Sequence, residues 1–122
     1  MQLTQWNYTQ EEWRNFLHWK TRKKGVIFFL LCHLRPVRTA HVPEIRIADD
    51  RVWINNSHEP FQNSQRQFRD INIRETGKFN ILEISYEQSN KLGDIRVPIP
   101  RGKLREALEV QERLIMNSIS IG

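Results

Sequence analysis

A single cysteine, Cys32, is the chain's entire thiol content. No internal disulfide can form, so packing must hold the fold. Neither C-x-x-C nor H-x-x-x-H spacing occurs, and the histidines at 18, 33, 41 and 58 are scattered. Cys32 and His33 are neighbours, which places them on opposite faces of a strand. No metal site is expected. Glycine is equally sparse, with five dispersed residues, so no phosphate-cradling loop can be drawn. G-x-S-x-G is absent, and Cys32 lies in the most apolar stretch, which raises a thiol pKa and keeps it inert. Asp49 and Asp50 are adjacent and read as a turn rather than an acid pair. No catalytic residue and no cofactor are therefore expected.

Long hydrophobic runs are also missing. The longest, Val26–Cys32, has seven residues, less than half of the roughly 20 that a membrane-spanning helix needs. No integral membrane segment is expected. The first fifteen residues lack the basic-then-apolar pattern of a secretion signal, so the cytoplasm is the expected compartment.

What is present is a globular composition. The 122 residues are 39% hydrophobic and 27% charged, enough for one domain over 1–122 with a core of its own. The net charge of +5 is local. Residues 1–40 hold seven basic and two acidic side chains, whereas residues 41–122 hold twelve of each sign. The basic residues cluster as Lys20, Arg22, Lys23 and Lys24, with Arg35 and Arg38 beyond the apolar run. A local field of this kind steers an acidic partner. It equally suits a solvated helix end, since cations complement a helix C-terminus.

The first helix is expected over 9–22. Thr9 and Glu12 have capping-box spacing, and Tyr8 and Trp13 match a hydrophobic staple. Trp13, Phe16, Leu17 and Lys20 then share a face, with Trp19 on its flank. "VIFFLLCHL" follows as a strand covered on both faces, bounded by Gly25 and Pro36. Period-two segments succeed it over the rest of 26–99: Ile45/Ile47, Val52/Ile54, Ile71/Ile73, "FNILEISY" and Ile95/Val97/Ile99. "NNSHEPF" and "QSNKLG" read as polar connections, Thr76-Gly77-Lys78 as a turn, and Phe61 as the opening of a very short strand. Pro98 and Pro100 lack donors on one common side, so "VPIP" belongs at a sheet edge. A second helix is expected over 103–118, with Leu104, Ala107, Leu108, Gln111, Leu114 and Ile115 facing inward. The tail residues Ile115, Met116, Ile119 and Ile121 either finish the core or form an interface.

The order of these elements is an N-terminal helix, six to seven antiparallel strands and a C-terminal helix, an α+β fold. The tail "GKFNILEISYEQSNKLGDIRVPIPRGKLREALEVQERL" resembles the end of bacterial pleckstrin-homology-like (PH-like) domains, over roughly residues 42–118. In those domains a late strand pair leads through a proline corner into a helix that plugs a small barrel. The resemblance implies a binding or scaffolding module and no enzyme. Lipid-binding members gather basic residues at the opening strands, and the nearest equivalents here are Lys23, Lys24, Arg35 and Arg38. Arg35 and Arg38 are three apart across Pro36, a departure from the basic-x-basic pattern of those members.

The expected activity is thus protein–protein interaction through a sheet edge, with the basic segment steering an acidic partner. A second copy of the chain is a further candidate partner. Two rivals remain. Trp6, Trp13 and Trp19 near the basic cluster could stack nucleic-acid bases, and the cluster could also hold the chain weakly to an anionic membrane.

Overall fold

The computed structural model describes the backbone of residues 2–22 and 42–121. Among these residues the order is β1 (Gln2–Trp6), α1 (Gln10–Arg22), β2 (Ile45–Ala48), β3 (Arg51–Ile54), β4 (Ser57–Pro60), β5 (Gln67–Glu75), β6 (Asn80–Gln88), β7 (Lys91–Ile99) and α2 (Leu104–Ile121). The expected strand over "VIFFLLCHL" lies outside the described residues.

The α+β class holds. Among the described residues the strands form two antiparallel sheets, β1-β2-β3-β4 and β5-β6-β7, which do not close on one another, so the expected single barrel is corrected to two sheets there. Among the described residues a strand also precedes the first helix. β1 was not foreseen because Trp6 is its only fully buried residue, and one apolar side chain gives no alternation to read.

Local chemistry sets the first helix. The Thr9 amide donates to Glu12 Oε1 at 2.8 Å, and the Glu12 amide donates to Thr9 Oγ1 at 3.1 Å. That is the reciprocal capping box, and it satisfies donors that the first helical turn leaves open. Tyr8 meets Trp13 at 5.5 Å between ring centroids, completing the staple.

The turns are tighter than their composition suggests. Asp49-Asp50 turns β2 into β3, with Asp50 accepting from Arg51 at 3.0–3.1 Å. Within "NNSHEPF" Asn55-Asn56 turn and β4 occupies Ser57–Pro60. Asn55 takes φ 54°, which its short polar side chain tolerates. Phe61 opens no strand. It follows β4 and is fully buried. "QSNKLG" contracts to the pair Ser89-Asn90, with φ 53° and 67°, a type I′ geometry whose twist matches its flanking strands.

Period two then determines what is buried. Ile45 and Ile47 stand opposite Ile54 and Val52, and all four are buried. In the second sheet Leu82 and Ile84 stand opposite Val97 and Ile95 on the same inner face, also buried. The other face of this sheet is covered as well at one end, where Ile81 opposes Pro98 and both are buried. Here α1 supplies rings: Trp13, Phe16, Trp19 and Phe79 meet at 5.2–6.4 Å. Trp13 and Phe16 are buried and Trp19 and Phe79 partly so; full burial of a side chain such as Phe16 contributes roughly 1.5–3 kcal/mol.

α2 runs past the seam between the two sheets. Glu106 accepts from Thr4 Oγ1 at 2.9 Å and Trp6 Nε1 at 3.1 Å, tying the helix to β1. Gln111 Nε2 donates to the Ile71 carbonyl of β5 at 3.0 Å. The inward stripe is only partly the one expected: Ala107, Gln111 and Leu114 face inward as expected, and Val110 joins them. Ala107, Val110 and Leu114 are buried, whereas Leu104, Leu108 and Ile115 are exposed. Met116 and Ile119 are exposed too, so among the described tail side chains none finishes the core.

Candidate functional site

The proline corner lies at a sheet margin, as expected: β7 is the outer strand of its sheet. Proline is tolerated where its missing donor points away from the ladder. By the alternation of a strand, Arg96 and Asp94 direct their backbone groups to that same side. The end near Pro98 is closed by Tyr8, whose hydroxyl donates to the Pro98 carbonyl at 2.7 Å. Burial, and secondarily the charge of Glu12, push the Tyr8 phenol well above its ordinary pKa. Toward the Ser89-Asn90 turn, Leu92 is 75% exposed. Among the described residues no strand pairs with the outer edge of β7.

Charge crosses the outer face of this sheet. Glu83 of β6 lies between Arg96 of β7 at 2.8 Å and Arg74 of β5 at 3.4 Å. Arg96 also reaches Asp94 at 3.1 Å, and its guanidinium sits over the ring of Trp19, 5.6 Å from the centroid. Trp19 belongs to the last described turn of α1, so that helix delivers its C-terminal end to β7. Lys20 and Arg22 occupy α1 in sequence, but their side chains lie outside the described residues, as do Lys23, Lys24, Arg35 and Arg38 entirely. The expected grouping of these six residues therefore lies outside the described residues, which show only where α1 ends.

Two further clusters had no signal in the sequence. Arg66 binds Glu59, the Pro60 carbonyl at 2.9 Å and Gln88 at 2.9 Å, and stacks on Tyr86 at 4.5 Å. It joins β4 to β6 across the two sheets. Trp53 stands between Arg46 at 5.0 Å and His58 at 4.7 Å on the outer face of the first sheet. In both clusters the partners come from different strands, so only the register aligns them. Among the described residues no group of three His, Cys, Asp or Glu converges as a metal site would require, and no helix is long and apolar enough to cross a membrane.

Comparison with protein-family models, with curated proteins and with solved structures gives no match. The reading of this surface rests on the chain's own residues.

Proposed function

We propose that this chain is a non-enzymatic binding module that captures an acidic, extended protein segment along the outer edge of β7. The observation that supports it is the contact between Trp19 and Arg96. It sets the Trp19 turn of α1, next in sequence to the basic residues, beside an outer strand that carries an exposed leucine. Backbone groups at such an edge pair with an added strand and give affinity, while alternate side chains give specificity. Basic residues around it raise the association rate of an acidic partner. The element order, with a C-terminal helix at the seam of two antiparallel sheets, also supports reading the domain as PH-like. The proposed compartment is the cytoplasm.

The test uses the full chain and three labelled probes: a peptide of alternating glutamate and valine, a single-stranded oligonucleotide, and vesicles containing anionic lipid. The peptide should bind. The charge reversals R22E, K23E and K24E together should weaken it about tenfold. Asp94→Pro, at the same alternation as Pro98, should weaken it without disturbing the ladder to β6. Binding of the oligonucleotide alone, with log affinity falling linearly in log salt, would replace this reading with nucleic-acid recognition. Binding of vesicles alone would replace it with membrane association.

A further inference from the structure

α2 carries two apolar stripes. Ala107, Val110 and Leu114 form the buried one. Leu104, Leu108, Ile115 and Ile119 form the other, and they are 43%, 50%, 38% and 72% exposed. At about 100° per residue the second stripe lies roughly 120° around the helix from the first, so the core that buries one cannot bury the other. The exposed stripe runs about 22 Å along the axis. It borders an open groove whose far wall includes Ile73 and Glu75 of β5. An apolar strip of this length on a helix is a contact surface in search of a second helix.

The charges beside the stripe say which second helix fits. Arg105 and Glu112 are both exposed and lie on the same border, one position after Leu104 and Gln111. They are seven residues apart, about 10.5 Å along the axis, too far to pair within one helix, where partners are three or four apart. Parallel pairing of two copies would set Arg105 against Arg105 and Glu112 against Glu112. Antiparallel pairing centred near residue 109 instead sets Arg105 of each copy opposite Glu112 of the other, twice. The same register brings both Leu108 side chains near the two-fold axis and leaves Leu104 of each copy two residues, about 3 Å along the axis, from Ile115 of the other, within reach of these side chains. One register therefore satisfies the apolar and the charged residues together.

We infer that the chain forms an isologous dimer in which α2 of a second copy lies antiparallel on this stripe. This surface is separate from the β7 edge, so either reading can fail without the other.

The experiment is sedimentation equilibrium of the full chain from low micromolar to sub-millimolar concentration. A monomer–dimer equilibrium is expected. Leu108→Glu should abolish it while thermal unfolding of the dilute monomer stays unchanged, because position 108 is outside the core. R105E and E112R should each raise the dimer Kd about tenfold. The double variant R105E/E112R should return it to within about threefold of the starting value, since the swap restores both pairs. A monomer at every concentration would overturn the inference and assign the stripe to another cover. A dimer indifferent to Leu108→Glu would also overturn it. Failure of the double variant to rescue would refute the antiparallel register.

Discussion

Replacing Glu12 with alanine withdraws acceptors from two parts of the chain at once. Glu12 Oε1 accepts from the Thr9 amide at 2.8 Å, and Oε2 accepts from the Arg101 amide at 2.7 Å. The first bond closes the capping box of α1. The second ties that box to the turn preceding α2, far away in sequence. Hydrogen bonds to a charged group contribute about 1.5–3 kcal/mol when well shielded. Both amides are near water, which partly replaces the lost acceptor, so about 1 kcal/mol per bond is the appropriate figure. A carboxylate in the first helical turn adds about 0.3–1 kcal/mol through the helix dipole. The expected loss for Glu12→Ala is therefore about 2–3 kcal/mol. Thr9→Ala removes only the side chain that caps the Glu12 amide at 3.1 Å, and about 1 kcal/mol is expected. Urea unfolding followed by tryptophan fluorescence measures both, since Trp6 and Trp13 are buried. At about 3–5 °C per kcal/mol for a domain of this size, the two variants should also separate in thermal melts. If Glu12→Ala costs no more than Thr9→Ala, the tie to Arg101 contributes nothing and the reasoning is wrong.

Three other outcomes are expected. Phe61→Ala should cost about 3–5 kcal/mol, because the ring is fully buried and its loss leaves a cavity; chemical denaturation checks this, and a cost under about 1 kcal/mol would show that the site collapses freely. Gly93→Ala should displace Tyr86, whose ring tip lies 2.6 Å from where the new Cβ would stand, and so break its stack on Arg66; a loss of the tyrosine near-ultraviolet dichroism reports it, and an unchanged spectrum would refute it. Acid should destabilise the fold through two carboxyls. At Glu12 burial alone would raise the pKa, but the bonds from Arg101 and Thr9 more than offset it, so it lies below the ordinary value. At Glu106 the bond from Lys103 leads, followed by those from Thr4 and Trp6, and lowers it too. With both pKa values depressed on folding, their contribution is complete above about pH 4.3, the unfolded carboxylate value, and is lost as pH falls through the folded ones. The doubly substituted E12Q/E106Q chain should show a flatter stability profile from pH 5 to 3, and an unchanged slope would discount both groups.

What the sequence made legible was local. Thr9, Glu12, Tyr8 and Trp13 act within one turn of each other, so spacing alone announced the box and the staple. Alternation exposed β2, β3, β6 and β7 for the same reason, and two prolines marked the outer strand. The misses are non-local or ambiguous. β1 presents a single buried ring and pairs with a strand beyond residue 44. The two faces of α2 could not be separated from the sequence, because both are apolar at helical spacing: Ala107 and Leu114 pack inward as expected, while Leu104, Leu108 and Ile115 do not. The basic cluster was plain from composition. Its neighbourhood was not, since Trp19 meets Arg96 only after α1 has folded onto the second sheet. Arg66, with partners on β4 and β6, left no trace in the sequence for the same reason.

The two sheets differ in how far the chain must travel to build them. β5, β6 and β7 follow one another through short turns, so their register forms from nearby residues. β1 pairs with β2 only after residues 7–44 have been looped out. Closing a loop becomes costlier only slowly with length, about 0.6 kcal/mol for each doubling, while the search for such distant pairing slows folding much more. β1 should therefore dock last, onto a body already assembled, with Glu106 waiting to receive Thr4 and Trp6.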